Sequence, residues 1–373
     1  MAKKTPKHPA KAAEKSPVSA APAATPSADR KSARSAGAKT PKARVNGAVT
    51  KPTETKSAVP APAVAPAAAS AKTKGKAAPA KLEVPGSVAS PLRIFQIYYE
   101  SWQRDVLDPS FASIDNSGLK SELQEFLVLE RLAKSDYVKG ATLWGALSWR
   151  FTERTGMKSA DWVAAIQADR GKDVYYCDPA PVNEALFHNL WLQGEIAHPH
   201  FLEVCTAFFK ATNLPLDSFS GIAPGDQYAT ANYFVGTPRF WALYLPWVTE
   251  LFKEANKKMP PKERDLMHAK AAEGAHKGMS LMPFILERLF PVFMKTAGKD
   301  LSYKKIPLPA LDAQLNVHLR LLREAKNLAH SSKSAWLAAL WVNYRNLYFI
   351  QTNGKDWCAK NLRRITPLDI KFN

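Results

Sequence analysis

The chain has 373 residues, 46% of them hydrophobic, a formal net charge of +19 and three cysteines. That length leaves room for a sizeable core. Cys177, Cys205 and Cys358 are far apart and odd in number, which argues against a disulfide frame or a zinc site and suits reduced core thiols in a cytosolic protein. No window of about 18 apolar residues lacks charge, which argues against a spanning helix, and the lysines after Met1 lead into no apolar run of signal-peptide length.

The charge is unevenly placed. Residues 1–81 hold 17 Lys and Arg against Glu14, Asp29 and Glu54, which leaves +14 in that segment. No aromatic residue occurs before Phe95, and stretches such as "VPAPAVAPAAASAKTKGKAAPAK" are largely Ala, Lys, Pro, Ser and Thr. Such a chain has too little apolar surface to offset the entropy of ordering, and its prolines break helices. Residues 1–88 are expected to be a disordered basic arm. Spaced lysines neutralise phosphates without reading sequence, so nucleic acid, acidic polysaccharide or an anionic membrane surface would each serve as partner. A solubilising tether with no fixed partner explains the same composition. The composition resembles the Lys/Ala/Pro tails of linker-histone-like proteins, a likeness that covers no folded motif.

Aromatics appear abruptly after Leu92, and residues 89–373 are expected to fold. "LRIFQIYY" (92–99) suits a strand. In "SGLKSELQEFLVLERLAKS" Leu123, Phe126, Leu127 and Leu132 recur at helical spacing, with Ser117 or Ser121 as cap. "GATLWGALSWRF" (140–151) starts strand-like, "SADWVAAIQAD" begins at Ser159 as a helix, and "KDVYYCDP" (172–179) is a third short strand closed by Asp-Pro. Helices are expected over 183–193 and 198–212, and "NYFVG" (232–236) is a late strand. "TPRFWALYLPWVTELFKEANKK" (237–258) opens with the helix signal Thr then Pro, and Pro246 is expected to kink or split it. Four further helical patterns follow, ending in "SAWLAALWVNYRNLYFIQ" (334–351), whose Trp341, Tyr344 and Tyr348 stripe suits core packing. Strands alternating with helices predict an α/β layer with a mainly parallel sheet, followed by a helix-rich C-terminal half.

In an open α/β sheet, ligands sit at the carboxyl ends of the strands. The predicted strand ends carry Asp115 and Asn116, then Ser148, Trp149 and Arg150, then Asp178, and finally Asp226 and Asn232. Acidic groups there suit hydroxyl binding, a divalent cation or general-base work, and an arginine suits a diphosphate. Each also has a plainer explanation. Asp115-Asn116 before Ser117-Gly118 suits a turn, Arg150 a surface salt bridge, Asp178-Pro179 a strand-end turn, and Asn232 a strand start. Glu195, His198 and His200 in "EIAHPHF" look like metal ligands, but Pro199 favours extended geometry at His198 and no fourth ligand is near, so a helix start fits better.

"RIFQIYY…LDPSFASIDNSG", "GALSWRFTERTG", "KDVYYCDP", "YATANYFVGTPRFWALYLPWV" and "PFILERLFPVFM" together resemble proteins encoded with bacterial surface-polysaccharide genes, which are similar to nucleotide-sugar glycosyltransferases of the GT-A fold. The resemblance covers about 93–295 and leaves the last 75 or so residues unmatched. It implies an enzyme of polysaccharide or glycan biosynthesis that takes a nucleotide sugar and a glycan acceptor. Gln96, Tyr98, Asp115, Asn116 and Arg150 would form the donor pocket, Asp178 would act as base or hydroxyl ligand, and Asn232 would position donor or acceptor. The protein would be cytoplasmic, with the arm holding it at the inner membrane. The family's metal-chelating Asp-x-Asp is absent, and Asp173 and Asp178 fall on opposite faces of a strand, so no metal cofactor is assigned. No phosphate loop, G-x-S-x-G, H-E-x-x-H or G-x-G-x-x-G is present. The alternative is a polyanion-binding protein without turnover, acting through the arm.

Overall fold

The computed structural model of the chain describes residues 91–118, 121–273, 276–367 and 369–372. The basic arm expected over 1–88 lies outside the described residues.

The first half alternates strands and helices. β1 (Leu92–Tyr98) leads through a 3-10 turn to β2 (Ala112–Asp115); α1 (Glu125–Ala133) leads to β3 (Leu143–Ser148). Next come α2 (Phe151–Thr155), α3 (Ser159–Ala168) and β4 (Val174–Tyr176). Three helices follow, α4 (Pro181–Leu186), α5 (Leu190–Ala197) and α6 (Phe201–Ala211), and then the short β5 (Gly221–Ile222) and β6 (Phe234–Gly236). Beyond these lie α7 (Pro238–Lys258), α8 (Pro261–His268), α9 (Met282–Leu286), α10 (Leu289–Lys295), β7 (Tyr303–Lys305), α11 (Pro309–Gln314), α12 (Val317–Ser332), α13 (Ala335–Ile365) and β8 (Lys371–Phe372).

Six strands form one sheet in the order β2-β1-β3-β6-β4-β7. β1 pairs parallel with β2 and β3, and β4 with β7, while β6 runs antiparallel between β3 and β4. The protein is thus α/β with a mainly parallel sheet and a helix-rich C-terminal half, as the alternation predicts. β5 and β8 pair separately. The sequence pattern misses β2 and β7 because neither carries an apolar run: "ASID" is half polar, and "YKK" is an outer strand with two exposed residues. The helix expected from Ser117 begins only at Glu125; the Ser121 hydroxyl caps a turn there, accepting from the Leu123 N–H at 3.1 Å.

Side-chain alternation splits the core into two layers. Phe95, Ile97, Trp144, Ala146, Val174, Tyr176 and Phe234 face a cluster built with α1, α6, α7, α9 and α10. Ile94, Leu147, Tyr175, Tyr233 and Val235 face the opposite cluster, completed by Phe151, Trp162 and Ile166 of α2 and α3. Both faces are covered, which is why β1 and β4 have near-continuous apolar sequences.

An aromatic strand precedes an aromatic helix because α7 folds straight back over β6. The Thr237 hydroxyl caps the helix, accepting from the Phe240 N–H at 3.2 Å, with Pro238 in its first turn. Phe240, Trp241, Tyr244, Leu245, Val248, Leu251, Phe252 and Ala255 form its buried stripe. Trp241 stacks on Trp144 with centroids 4.3 Å apart, and its indole N–H donates to the Trp144 carbonyl at 2.8 Å. Close approach needs glycine at two points: a Cβ at Gly145 would lie 2.5 Å from the Phe234 carbonyl oxygen, and one at Gly236 would lie 2.3 Å from the Phe240 ring. Pro246 does not split α7. It and Ala242, whose carbonyl would pair with an N–H at 246, both sit on the exposed face, where water supplies the missing partner.

The last helices make a third core. α12 and α13 pack antiparallel: Asn316 donates to the Tyr348 hydroxyl at 3.1 Å and His318 meets Tyr344 at 2.5 Å. Trp341 is fully buried there, as the stripe predicts, and donates to the Ala185 carbonyl at 3.0 Å. α13 runs past the predicted end and breaks at Gly354, with φ at 82°.

Trp241→Ala removes both the stacking on Trp144 and the bond to its carbonyl. A loss of about 3–5 kcal/mol in unfolding free energy is expected, measured by urea denaturation.

Candidate functional site

Five parallel strands end on one edge of the sheet, and the reversed β6 begins there. The strand order therefore sets a row of residues along that rim. Asn116 follows β2, Tyr98 and Tyr99 close β1, and Ser148 closes β3; Asn232 and Tyr233 enter β6, and Asp178 follows β4. Four inter-strand gaps separate the two ends of this row, about 19 Å at the usual spacing. β3 and β6 share a single paired position, Trp144 with Gly236. The rim also holds the point where the chain leaves β1 toward β2 on one side and β3 toward β4 on the other, the usual location of a ligand crevice in such sheets.

A charged cluster occupies this rim. Glu125 opens α1, Arg154 comes from α2 and Glu287 from the corner between α9 and α10; all three are partly buried. Burial, followed by the neighbouring Glu287, lifts the Glu125 carboxyl to about 7, against the opposing pull of Arg154 and a hydrogen bond from Ser148. Burial raises Glu287 as well, offset by Arg288 and Arg154. Burial alone would lower the Arg154 guanidinium, but Tyr233, Glu287 and Asp178 outweigh it and raise its pKa. Tyr99 is pushed well above the ordinary phenol value by burial and by Glu125. These couplings link Glu125 to Tyr99, Ser148, Glu287 and Arg154, and Arg154 to Tyr233 and Asp178. A carboxyl raised to about 7 can exchange a proton with a bound hydroxyl near neutral pH.

The residues singled out in the sequence are placed as follows. Asn116, Asp178 and Asn232 are buried on the rim, and each keeps one side-chain oxygen without a hydrogen-bond partner: Asn116 Oδ1, Asp178 Oδ2 and Asn232 Oδ1. The other Asp178 oxygen is fixed by Thr230, whose N–H donates at 3.1 Å and whose hydroxyl donates at 2.5 Å. Gln96 is fully buried, and its amide is used within the protein: Nε2 donates to the Ser148 and Trp149 carbonyls at 3.2 Å, and Oε1 accepts from the Asp108 N–H at 2.9 Å. It holds the end of β3 in place. Tyr98 is buried behind the rim. Asp115 closes the turn after β2, accepting from the Ser117 N–H at 2.9 Å, and Arg150 pairs with Glu153 at 2.6 Å.

Beyond Asp178 the rim opens into a cleft of about 630 Å³. Glu184, Asp226, Lys305, Arg323 and Asn327 line it with Asp178. Lys305 bridges Glu184 at 2.9 Å and the Gly225 carbonyl at 2.6 Å. Under it the buried Lys326 ammonium donates to the Glu184 and Phe187 carbonyls at 2.6 and 2.8 Å. Burial lowers its pKa to about 7, against the pull of Glu184. Arg288 is spent structurally, donating to the Leu190 and Phe284 carbonyls and to Gln193.

Sequence reasoning missed Tyr99, Glu125, Arg154, Tyr233 and Glu287 as site residues. Glu287 and Arg154 stand inside quoted motifs, "ERLF" and "FTERTG", and Tyr99 and Tyr233 border the strand ends. Glu125 sits inside a helical pattern, and no sequence signal marks it. Asp173 and Asp178 lie at opposite ends of β4, Asp173 accepting from Ser302 at 2.8 Å. Among the described residues no group of three or more His, Cys, Asp or Glu is placed to hold a metal ion. His198 is buried against the Phe284 ring, centroids 3.8 Å apart, and His200 pairs with Glu203 at 3.0 Å.

No family model and no curated protein matches the chain. The apo structure of WbbM, a bifunctional glycosyltransferase, is similar over 57% of this chain and 44% of that one, at 12% identity and a TM-score of 0.33. This chain thus spans less than half of that protein's length, and a likeness this loose carries no argument.

Between the ordinary 4.5 of Glu125 and its value of about 7 in the fold, the native state holds a proton that the unfolded chain has lost. Stability therefore falls as pH rises through that window. Glu125→Gln cannot ionise, so it should flatten this part of the profile and be more stable than wild type at pH ~8, by on the order of 1–3 kcal/mol. Urea titrations at a series of pH values measure this.

Proposed function

We propose that this chain is a glycosyltransferase-like enzyme that uses a nucleotide sugar in surface polysaccharide or glycan assembly. The observation that carries the reading is the row of buried, unpartnered oxygens of Asn116, Asp178 and Asn232 at the carboxyl ends of a mainly parallel sheet, with burial raising the Glu125 carboxyl near the end of β3. In this reaction an acceptor hydroxyl attacks the anomeric carbon of the donor. Its proton passes to Glu125 as the new C–O bond forms, while the bond from the anomeric carbon to the diphosphate breaks. The nucleoside diphosphate departs with its negative charge facing Arg154. Glu287 keeps the Glu125 proton affinity high enough for that transfer. Asp178 presents its unpartnered Oδ2 to a sugar hydroxyl, with Asn116 and Asn232 accepting from others along the row. The mixed acidic, basic and amide lining of the cleft beyond Asp178 suits a polyhydroxylated acceptor. Gln96 and Tyr98 support the donor side from behind, and Asp115 and Arg150 hold the loops that frame it.

A second reading is favoured by one observation, the +14 charge of residues 1–81: the arm binds polyanions such as nucleic acid without sequence preference. Under that reading the rim has no turnover.

A panel of nucleoside diphosphate sugars should include one that raises the melting temperature of the full chain; a panel with no such member overturns the enzyme proposal. With that donor, Glu125→Gln should keep the thermal shift yet lose transfer by about 100-fold or more, measured as released nucleoside diphosphate. Asp178→Asn should weaken the shift or the transfer, whereas unchanged values for both would remove Asp178 from the site.

A further inference from the structure

The outer face of the α12–α13 hairpin carries six exposed apolar side chains, with the exposed Glu324 on α12 and Asn343 on α13 set between them. On α12, Val317, Leu321 and Leu328 lie on one helical face; on α13, Trp336, Leu340 and Leu347 repeat the same spacing. Val317 and Trp336 are each 72% exposed. Both stripes lie opposite the buried sides, Leu319, Leu322 and Lys326 on α12 and Ala338, Trp341 and Arg345 on α13. Both also lean toward the seam where His318 meets Tyr344, so the two stripes form one patch. From Ala335 to Asn353 the only charged side chain is Arg345, and it points inward.

Each stripe is about 16 Å long, and two helices side by side, each about 10 Å wide, make a patch of roughly 300 Å². A stable pair of chains needs about 800 Å² from each partner, so the patch is too small for a second copy. No helix among the described residues is long and apolar enough to cross a membrane. An apolar helix face with an exposed tryptophan at its edge does suit the headgroup–acyl boundary of a bilayer, where the body lies on the surface. Such a contact is weak alone and stable with a second attraction. The +14 of residues 1–81 supplies one, because basic residues near an anionic leaflet each contribute about 1 kcal/mol.

We infer that the outer face of the α12–α13 hairpin is a membrane-docking surface that seats on anionic phospholipid and acts together with the basic N-terminal sequence. The inference stands independently of the reaction proposed above.

The test is flotation of the full chain with vesicles of phosphatidylcholine containing about one-third phosphatidylglycerol, at ~0.15 M salt. Two double variants are compared with wild type, Trp336→Ser with Leu340→Ser and Val317→Ser with Leu321→Ser. All four positions are exposed, and the melting temperature checks each fold. Wild type should float, and each variant should partition roughly ten-fold less. Failure of wild type to float overturns the inference. So does equal flotation of both variants, which would leave the arm as the sole attachment. A wild-type dimer that either variant converts to monomer, with flotation unchanged, would show that a second copy covers the face.

Discussion

The reversal of β6 is the constraint on which the rest of the molecule depends. A short antiparallel strand wedged between two parallel ones brings its first residues, Asn232 and Tyr233, to the edge where β1, β3 and β4 end. A parallel strand in that position would begin at the far edge and leave the rim without them. β6 holds its place through one paired position with β3 and three with β4. Its remaining support is side-chain packing: α7 turns back at Thr237 and presses Phe240, Trp241 and Tyr244 onto Phe234. The density of aromatic residues over 228–247 is the physical counterpart of that short ladder, since large rings supply the burial that few backbone bonds cannot.

The same wedge sets the electrostatics. The two apolar layers bury the groups at the rim in part, so charges there interact strongly and are costly to ionise. Glu125 and Glu287 come from elements on either side of α7 in the chain, and each couples electrostatically to Arg154. Burial first, and then the neighbouring Glu287, raises the affinity of Glu125 for its proton against the pull of Arg154. The buried, unpartnered oxygens of Asn116, Asp178 and Asn232 add to that tension. A fold normally avoids such groups, because each costs stability unless something bonds to it. Their gathering along one edge, near a carboxyl tuned toward neutrality, is the pattern expected where ligand binding outweighs stability.

Much of the scaffold was legible beforehand. The apolar runs at 92–99 and 172–179 and the stripe in 237–258 are strong because both sheet faces and the inner helix face are buried. β2 and β7 were not legible, since short outer strands with polar residues carry no periodic signal. At the rim, Asn116, Asp178 and Asn232 could be found because they stand directly beside strand ends. Gln96 and Arg150 stand there too, yet the fold uses one to lock the end of β3 and the other to pair with Glu153. Position along a strand says nothing about which polar partner a side chain will meet.

By itself the sequence determined the α/β pattern followed by helices and the helix start at Thr237-Pro238. These depend on local composition, periodicity and capping, which act over a few residues. Only the tertiary structure decided that β6 runs backward, that Glu125, Arg154 and Glu287 couple electrostatically although more than 160 positions separate the first from the last, and that the outer stripes of α12 and α13 stay uncovered. Each of these turns on which distant surfaces pack together, and charge coupling and solvent exposure take their values only after that packing is complete.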